Sequence, residues 1–314
     1  MMKEKVLITG ASGMLGGYLK EKFAAHEIST LGRSDTNDWI YDLSRQNPDF
    51  GDTEFDTVIH CAGTEDENGA TLLNLDGTSR LLNALSSHPP LRFVYISSYQ
   101  VYSPDAGENI NEDENTWAHS EAGKSKARAE EVVRKWAGQH HVTLTVIRPA
   151  RMFGNGVTGE TLQLFNDALR GLYIHIRGND ARVSVVTALD VAKAIAKVYK
   201  EGGTFNAADG RNPRLIDMVE AMTANAGSRK RMNHLPASWA EWLWRLGRFI
   251  PFIDRNLNPK VAEKRMKTLT IDGSRLASAA GITYYDTLEV MALNHPDYPY
   301  TTGQETSKSA IREA

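Results

Sequence analysis

Short apolar runs alternate with amphipathic stretches along the first two-thirds of the chain. The runs at 5–9, 27–31, 39–41, 57–61, 92–97 and 143–147 predict six strands. Between them, 14–25, 71–87 and 120–138 read as helices, the first with Met14, Leu15, Tyr18, Leu19 and Phe23 at helical spacing. His88-Pro89-Pro90 is a stop signal before the fifth strand. Alternation of this kind predicts an α/β protein, a doubly wound parallel sheet covered by helices on both faces. After Pro149 the pattern loosens. Helices are expected at 160–170, 188–200, 215–226 and 238–249, separated by short strands at 182–186 and 203–206. Thr187 and Asp190 have the spacing of a capping box for the second of these helices.

The first strand runs straight into Gly10-x-x-Gly13-x-x-Gly16, and the first helix follows at once. Gly10 permits the tight turn, Gly13 lets backbone approach a pyrophosphate, and Gly16 lets helix and strand pack closely. The helix start carrying Ser12, Met14 and Leu15 offers unpaired N–H groups and a partial positive charge to an anion. Three spaced glycines alone would fit any tight βα turn. The strand before and the amphipathic helix after make this a Rossmann-type dinucleotide site, and NADP or NAD the expected cofactor. The division expected is a dinucleotide-binding domain over 1–150 with part of 180–210, a smaller C-terminal α/β substrate lobe over most of 151–300, and a polar tail at 301–314.

Composition narrows the surroundings. With 314 residues, 41% hydrophobic and 24% charged, the chain has the make-up of a soluble globular protein with a sizeable core. A net charge of −3 gives no reason to expect nucleic acid or an acidic membrane surface as partner. Cys61 is the only cysteine, so no internal disulfide can form. No run approaches the roughly 18 apolar residues of a membrane span, and the start leaves no room for a signal peptide. A cytoplasmic protein is the expectation. The nine histidines show no metal-ligand spacing, so no metal is expected. The stretch 239–253, rich in tryptophan, reads either as a lipid-contacting surface helix or as a lid burying its aromatics in the small lobe.

These residues resemble a known family, the extended short-chain dehydrogenase/reductases of the epimerase/dehydratase type. Thr9-Gly10-x-x-Gly13-x-x-Gly16 is similar to the family's opening, and Asp42-Leu43 to its adenine-contacting acidic pair. Asp56-x-Val58-x-His60-x-Ala62-Gly63 is similar to its fourth-strand motif, and Asn74-x-x-Gly77-Thr78-x-x-Leu81-Leu82 to the following helix. Ser97-Ser98-x-x-Val101-Tyr102 resembles the catalytic serine strand. Arg148-Pro149-x-x-Met152-Phe153-Gly154 resembles the segment passing the nicotinamide, and Phe205-Asn206-x-x-Asp209-Gly210 a small-lobe landmark. The resemblance implies hydride transfer at a sugar carbon of a nucleotide sugar, with room for a homodimer. It implies that Gly10, Ser12, Gly13, Met14, Leu15, Gly16, Asp42, Leu43, Cys61, Ala62, Gly63, Lys126, Pro149 and Met152 line the cofactor, and that Ser98 and Lys126 belong to the catalytic site.

One position departs from that pattern. The family's Tyr-x-x-x-Lys falls on Ala122-Gly123-Lys124-Ser125-Lys126, with alanine where the phenol belongs. No shift of the alignment restores it, because no tyrosine occurs between Tyr102 and Tyr173. Alanine has no ionisable group, and losing a general acid–base removes about 10²–10⁴-fold of rate. Substitutes within reach in sequence are His119, three residues earlier, and Tyr99, which strand alternation would turn away from Ser98. The other readings are a cofactor-binding sensor or scaffold without turnover, a phenol removed by design, and an oxidoreductase of a sterol-like lipid. Lys126 could instead be a surface lysine paired with Glu130, and Ser98 could merely satisfy local backbone. Arg33 stands after the second strand, where an NAD site places a carboxylate. It suits the 2′-phosphate of NADP, or stacks on adenine without discriminating. Cys61 lacks the partners of a nucleophile and reads as a small buried residue.

Overall fold

The computed structural model describes residues 3–225, 233–236 and 265–293. The helix expected at 238–249, the tryptophan-rich stretch 239–253 and the tail 301–314 lie outside the described residues.

The strands β1 (Lys5–Thr9), β2 (Glu27–Gly32), β3 (Trp39–Ile40), β4 (Thr57–His60), β5 (Arg92–Ile96), β6 (Thr143–Pro149) and β10 (Gly203–Ala207) form one seven-stranded sheet. Their order is β10-β6-β5-β4-β1-β2-β3, and every pairing is parallel. The order reverses between β1 and β4, where ligands of such sheets bind. The α/β, Rossmann-like architecture read from the sequence is the one observed. Side chains of β1 alternate between two cores: Val6 and Ile8 join Leu15, Leu19 and Phe23 on one face, while Leu7 joins Leu81, Phe93 and Val133 on the other. Burial on both faces explains why β1 and β4 read as unbroken apolar runs.

Helix α1 (Met14–Lys22) covers the first face together with α5 (Ala188–Val198). The second is covered by α2 (Thr78–Leu85) and the 20-residue α3 (Glu121–His140). The helix expected over 71–87 starts instead as a wide π-type segment, Thr71–Gly77, before tightening into α2. Thr78 and Ser79 donate their hydroxyls to the carbonyls of Asn74 and Leu75 at 2.6 and 2.9 Å, competing with the ordinary helical ladder.

The remaining described elements gather round a third core of Phe153, Leu164, Tyr173, Leu215, Met218 and Met291. They are β7 (Arg151–Phe153), α4 (Gly159–Arg170), β8 (Ile174–Ile176), β9 (Val185–Thr187), α6 (Leu215–Asn225), β11 (Asn233–Leu235) and helix Thr287–Leu293. Helix Ser274–Ala280 packs instead on α5 and β10. Strand β9 is shorter than the expected 182–186 run, because Arg182 and Val183 make only single bridges to Arg214 and Leu269. Thr187 Oγ caps α5 by accepting the Asp190 N–H at 3.1 Å. The Asp190 carboxylate accepts from Tyr285 N–H at 2.8 Å, tying the helix start to the chain ahead of Thr287–Leu293. Among the described residues no helix is long and apolar enough to cross a membrane.

Candidate active site

The glycine turn has the shape its spacing requires. Gly10 holds φ +67°, and a Cβ there would sit 2.8 Å from Ala62 N. A Cβ on Gly16 would collide with the Gly10 carbonyl, so α1 can approach β1 only with glycine at that position. Gly13, the residue before α1, meets only Gly10 O, at 3.2 Å, leaving that flank of the turn open. No side chain caps α1 and no acidic residue stands in its first turn. Above it, Asn155 N–H donates to Tyr18 Oη at 3.1 Å, and a Cβ on Gly156 would lie 3.9 Å from Met14 Cα. Such a cradle, with free N–H groups and a loop across it, fits the pyrophosphate of a dinucleotide.

His60 pins the mouth of the cradle. Its ring bonds Thr9 Oγ at 2.6 Å and Thr78 Oγ at 2.9 Å, and burial drives its pKa down to about 3. It is a neutral structural link. Cys61 and Ala62 follow at the switch point, with desolvation pushing the Cys61 thiol up to about 12. Asn74 clasps the same loop, accepting from Thr64 N–H at 2.8 Å and donating to Thr64 O and Ser125 Oγ at 2.9 and 3.0 Å.

At the far end of β2, Arg33 is exposed and its charge helps hold Asp42 below the usual carboxylate range, after the Ser44 hydrogen bond that dominates the effect. Leu43 is buried beneath α2, where Arg80 donates to its carbonyl at 2.9 Å. Asp38, the acid nearest Thr30, accepts from both its N–H and Oγ at 2.8 and 2.9 Å.

Lys126 comes to the cradle from α3. Its Nζ donates to Ile96 O at 2.8 Å and would lie 2.6 Å from a Cβ on Gly63. Burial lowers its pKa to about 8, against the opposing pull of Cys61, Glu130 and Glu65. Helix α3 is brought in by Gly123, where a Cβ would collide with the Gln100 carbonyl, and by Ser120, which caps the helix through Gly123 N–H at 3.0 Å. Ala122, 4% exposed, stands one turn before Lys126. Pro149 is buried at the end of β6, and Met152 is partly buried in β7.

Ser98, two residues beyond β5, caps a 3₁₀ turn, Tyr99–Val101, accepting Gln100 N–H at 3.1 Å. The strand stops at Ile96, so strand alternation does not govern Tyr99. Its ring is buried beside the Arg151 guanidinium, 5.8 Å away, and burial raises its hydroxyl pKa. His119 is exposed, and its charge acts on the exposed Asp105. Sequence reading passed over Glu65 and Arg151. Glu65 follows β4, and its charge acts on Lys126, Tyr99 and Arg151 alike. The described residues contain no cluster of His, Cys, Asp and Glu able to hold a metal.

The sequence pattern of the NAD dependent epimerase/dehydratase family matches residues 6–208, nearly the whole sheet and its site. The chain belongs to that family. Among relatives, an epimerase/dehydratase homologue of Escherichia coli O157:H7, N-acetyl-alpha-D-glucosaminyl-diphospho-ditrans,octacis-undecaprenol 4-epimerase, is 29% identical over 255 residues, covering 75% of this chain and 76% of that protein. Two solved structures share the fold. UDP-glucose 4-epimerase from Thermotoga maritima with UDP-glucose superposes with a TM-score of 0.72 at 15% identity, covering 98% of this chain and 99% of that one. RMD from Pseudomonas aeruginosa complexed with NADPH gives 0.67 at 21% identity, covering 92% and 96%.

Proposed function

We propose that this epimerase/dehydratase family member binds NAD(P) across its glycine turn and acts at a ring carbon of a sugar carried on a diphosphate, as in a nucleotide sugar. The observation that carries this reading is the convergence of Ser98, Lys126 and the open flank of Gly13 at one end of the parallel sheet. The Escherichia coli relative is named for a sugar on undecaprenyl diphosphate, and the Thermotoga structure holds UDP-glucose; a diphosphate-linked sugar is common to both. The seven-stranded part would be the dinucleotide-binding domain, and the third core the substrate lobe.

The bound nicotinamide would supply the hydride acceptor and donor. The chain's own residues then divide the remaining work. Ser98 Oγ already accepts Gln100 N–H, so its proton is free to point at a substrate oxygen. Lys126 Nζ would bond the nicotinamide ribose and hold a positive field beside the reacting oxygen. Ala122 stands where the family places its phenol, and a methyl group carries no proton. Tyr99 Oη is the phenol adjacent to Ser98 that could take over. Burial raises its pKa, so the phenol stays protonated near neutral pH and is a weaker acid than an exposed tyrosine. Ala122 equally favours a second reading, a cofactor-binding sensor or scaffold. NADP is the cofactor favoured, because Arg33 follows β2 while Asp38 is occupied by Thr30.

The test is turnover by the unaltered chain and by Ala122→Tyr over a panel of nucleotide sugars with NAD and NADP. The expected outcome is a near-inert parent and a gain of about 10²–10⁴-fold in the variant. A parent already working at roughly 1–10³ per second would show that a substitute acid exists, with Tyr99→Phe and His119→Ala the variants to identify it. Two inert forms that still bind cofactor would favour the sensor.

A further inference from the structure

Two arginines, Arg148 buried and Arg151 half-buried, stand three residues apart, and they are held differently. Arg148 donates four side-chain hydrogen bonds. Its Nε and Nη2 donate to the Glu130 carboxylate at 3.0 and 2.7 Å, and its Nη1 donates to Tyr102 Oη at 2.8 Å and to Glu112 O at 3.3 Å. Among the described residues the Arg151 guanidinium makes one hydrogen bond, from Nη1 to Glu160 Oε2 at 3.3 Å, and that carboxylate belongs to a side chain 43% exposed. The Arg151 side chain itself is only 15% exposed, and its buried Nε has no partner among the described residues.

A guanidinium keeps its charge at any physiological pH. Its Nε–Nη2 edge is the fork that grips a planar carboxylate or a phosphate through two parallel bonds. Arg148 spends that edge on Glu130, as a purely structural arginine does. Arg151 leaves Nε bare, two residues beyond Pro149 at the C-terminal end of the sheet, where ligands of open α/β folds bind. The ring beneath it belongs to Tyr99, the neighbour of Ser98. Buried polar groups left unpaired in a native protein call for an explanation, and a ligand group that completes them is one.

Resting on the diphosphate-sugar reading above, we propose that Arg151 is a substrate anchor whose Nε–Nη2 fork grips an oxyanion close to the reacting sugar carbon. Two substrate groups have that chemistry: the phosphate on the sugar's anomeric carbon, and the carboxylate of a hexuronate. Either would sit over the Tyr99 ring and fix the sugar relative to Ser98.

The experiment is calorimetric titration of the full chain, loaded with NADPH or NADH, using UDP-glucose and UDP-glucuronate as probes. The unaltered protein is compared with Arg151→Gln and with Arg151→Lys, which keeps the charge and removes the two-point grip; thermal melts establish that each is folded. A loss of tenfold or more for both probes places the phosphate on Arg151. A loss of that size for UDP-glucuronate alone places the carboxylate there. Folded variants that bind both probes as tightly as the parent overturn the anchor and leave the substrate reading standing. A parent that takes up cofactor but neither sugar overturns the substrate reading and the anchor with it.

Discussion

Replacing Lys126 by methionine should stabilise the cofactor-free protein near neutral pH while weakening its hold on NAD(P). The ammonium is buried, and desolvation there draws its pKa from 10.5 down to about 8. At about 1.4 kcal/mol per pH unit, holding that charge costs roughly 3 kcal/mol of native stability at pH 7. Methionine fills a similar length without the charge. What it forfeits is the 2.8 Å bond to Ile96 O, worth about 1 kcal/mol. The variant should therefore gain about 2 kcal/mol at pH 7, which raises the melting temperature by about 4 °C. Between pH 8 and 10.5 the unfolded chain binds a proton that the folded chain has released, so the parent's stability rises with pH across that window. The variant's advantage should vanish by about pH 10.5. A lost hydrogen bond from a charged group to the ribose costs about 1.5–3 kcal/mol, so titration should show binding weakened by roughly 10–100-fold. Melts at pH 7 and 10.5 decide the matter. A variant less stable than its parent by the same margin at both pH values would refute the buried-charge account.

The part of this molecule legible in the sequence is the part that rests on local pattern. Strand β1 was expected at the residues where it lies, since a fully buried parallel strand is an apolar run with a glycine turn behind it. The family signature around Gly10, Ser98 and Lys126 was legible for the same reason: each lies in a short contiguous motif. The π-type start at Thr71 was hidden, because it depends on where two hydroxyls back-bond and not on apolar spacing. Tyr99 was assigned to a strand face because Ser98 gives no sign in sequence that it will cap a turn. Glu65 and Arg151 were invisible for a deeper reason. They are 86 positions apart, and only the crossovers of the sheet bring their charges to bear on Tyr99 and on one another.

Two further predictions concern the cofactor. Gly13→Val should abolish dinucleotide binding while the fold persists, because a Cβ there meets only Gly10 O, at 3.2 Å, and the branched side chain fills the open flank; fluorescence titration with NADPH and a circular dichroism melt check both halves. NADPH should bind more tightly than NADH, and Arg33→Ala should shrink the gap. Arg33 is exposed at the end of β2, so its loss should leave the core and the melting temperature alone. Its guanidinium acts on Asp42, and on the proposed reading that carboxylate would stand on the adenine side of the cradle. An exposed charge-assisted contact to a 2′-phosphate is worth about 1–2 kcal/mol, or roughly 5–30-fold in affinity. That preference should fade as salt rises, because an exposed pair is screened, whereas an arginine stacked on adenine would serve both cofactors equally. Equal affinities of the unaltered protein for NADPH and NADH at low salt would remove Arg33 from the discrimination altogether.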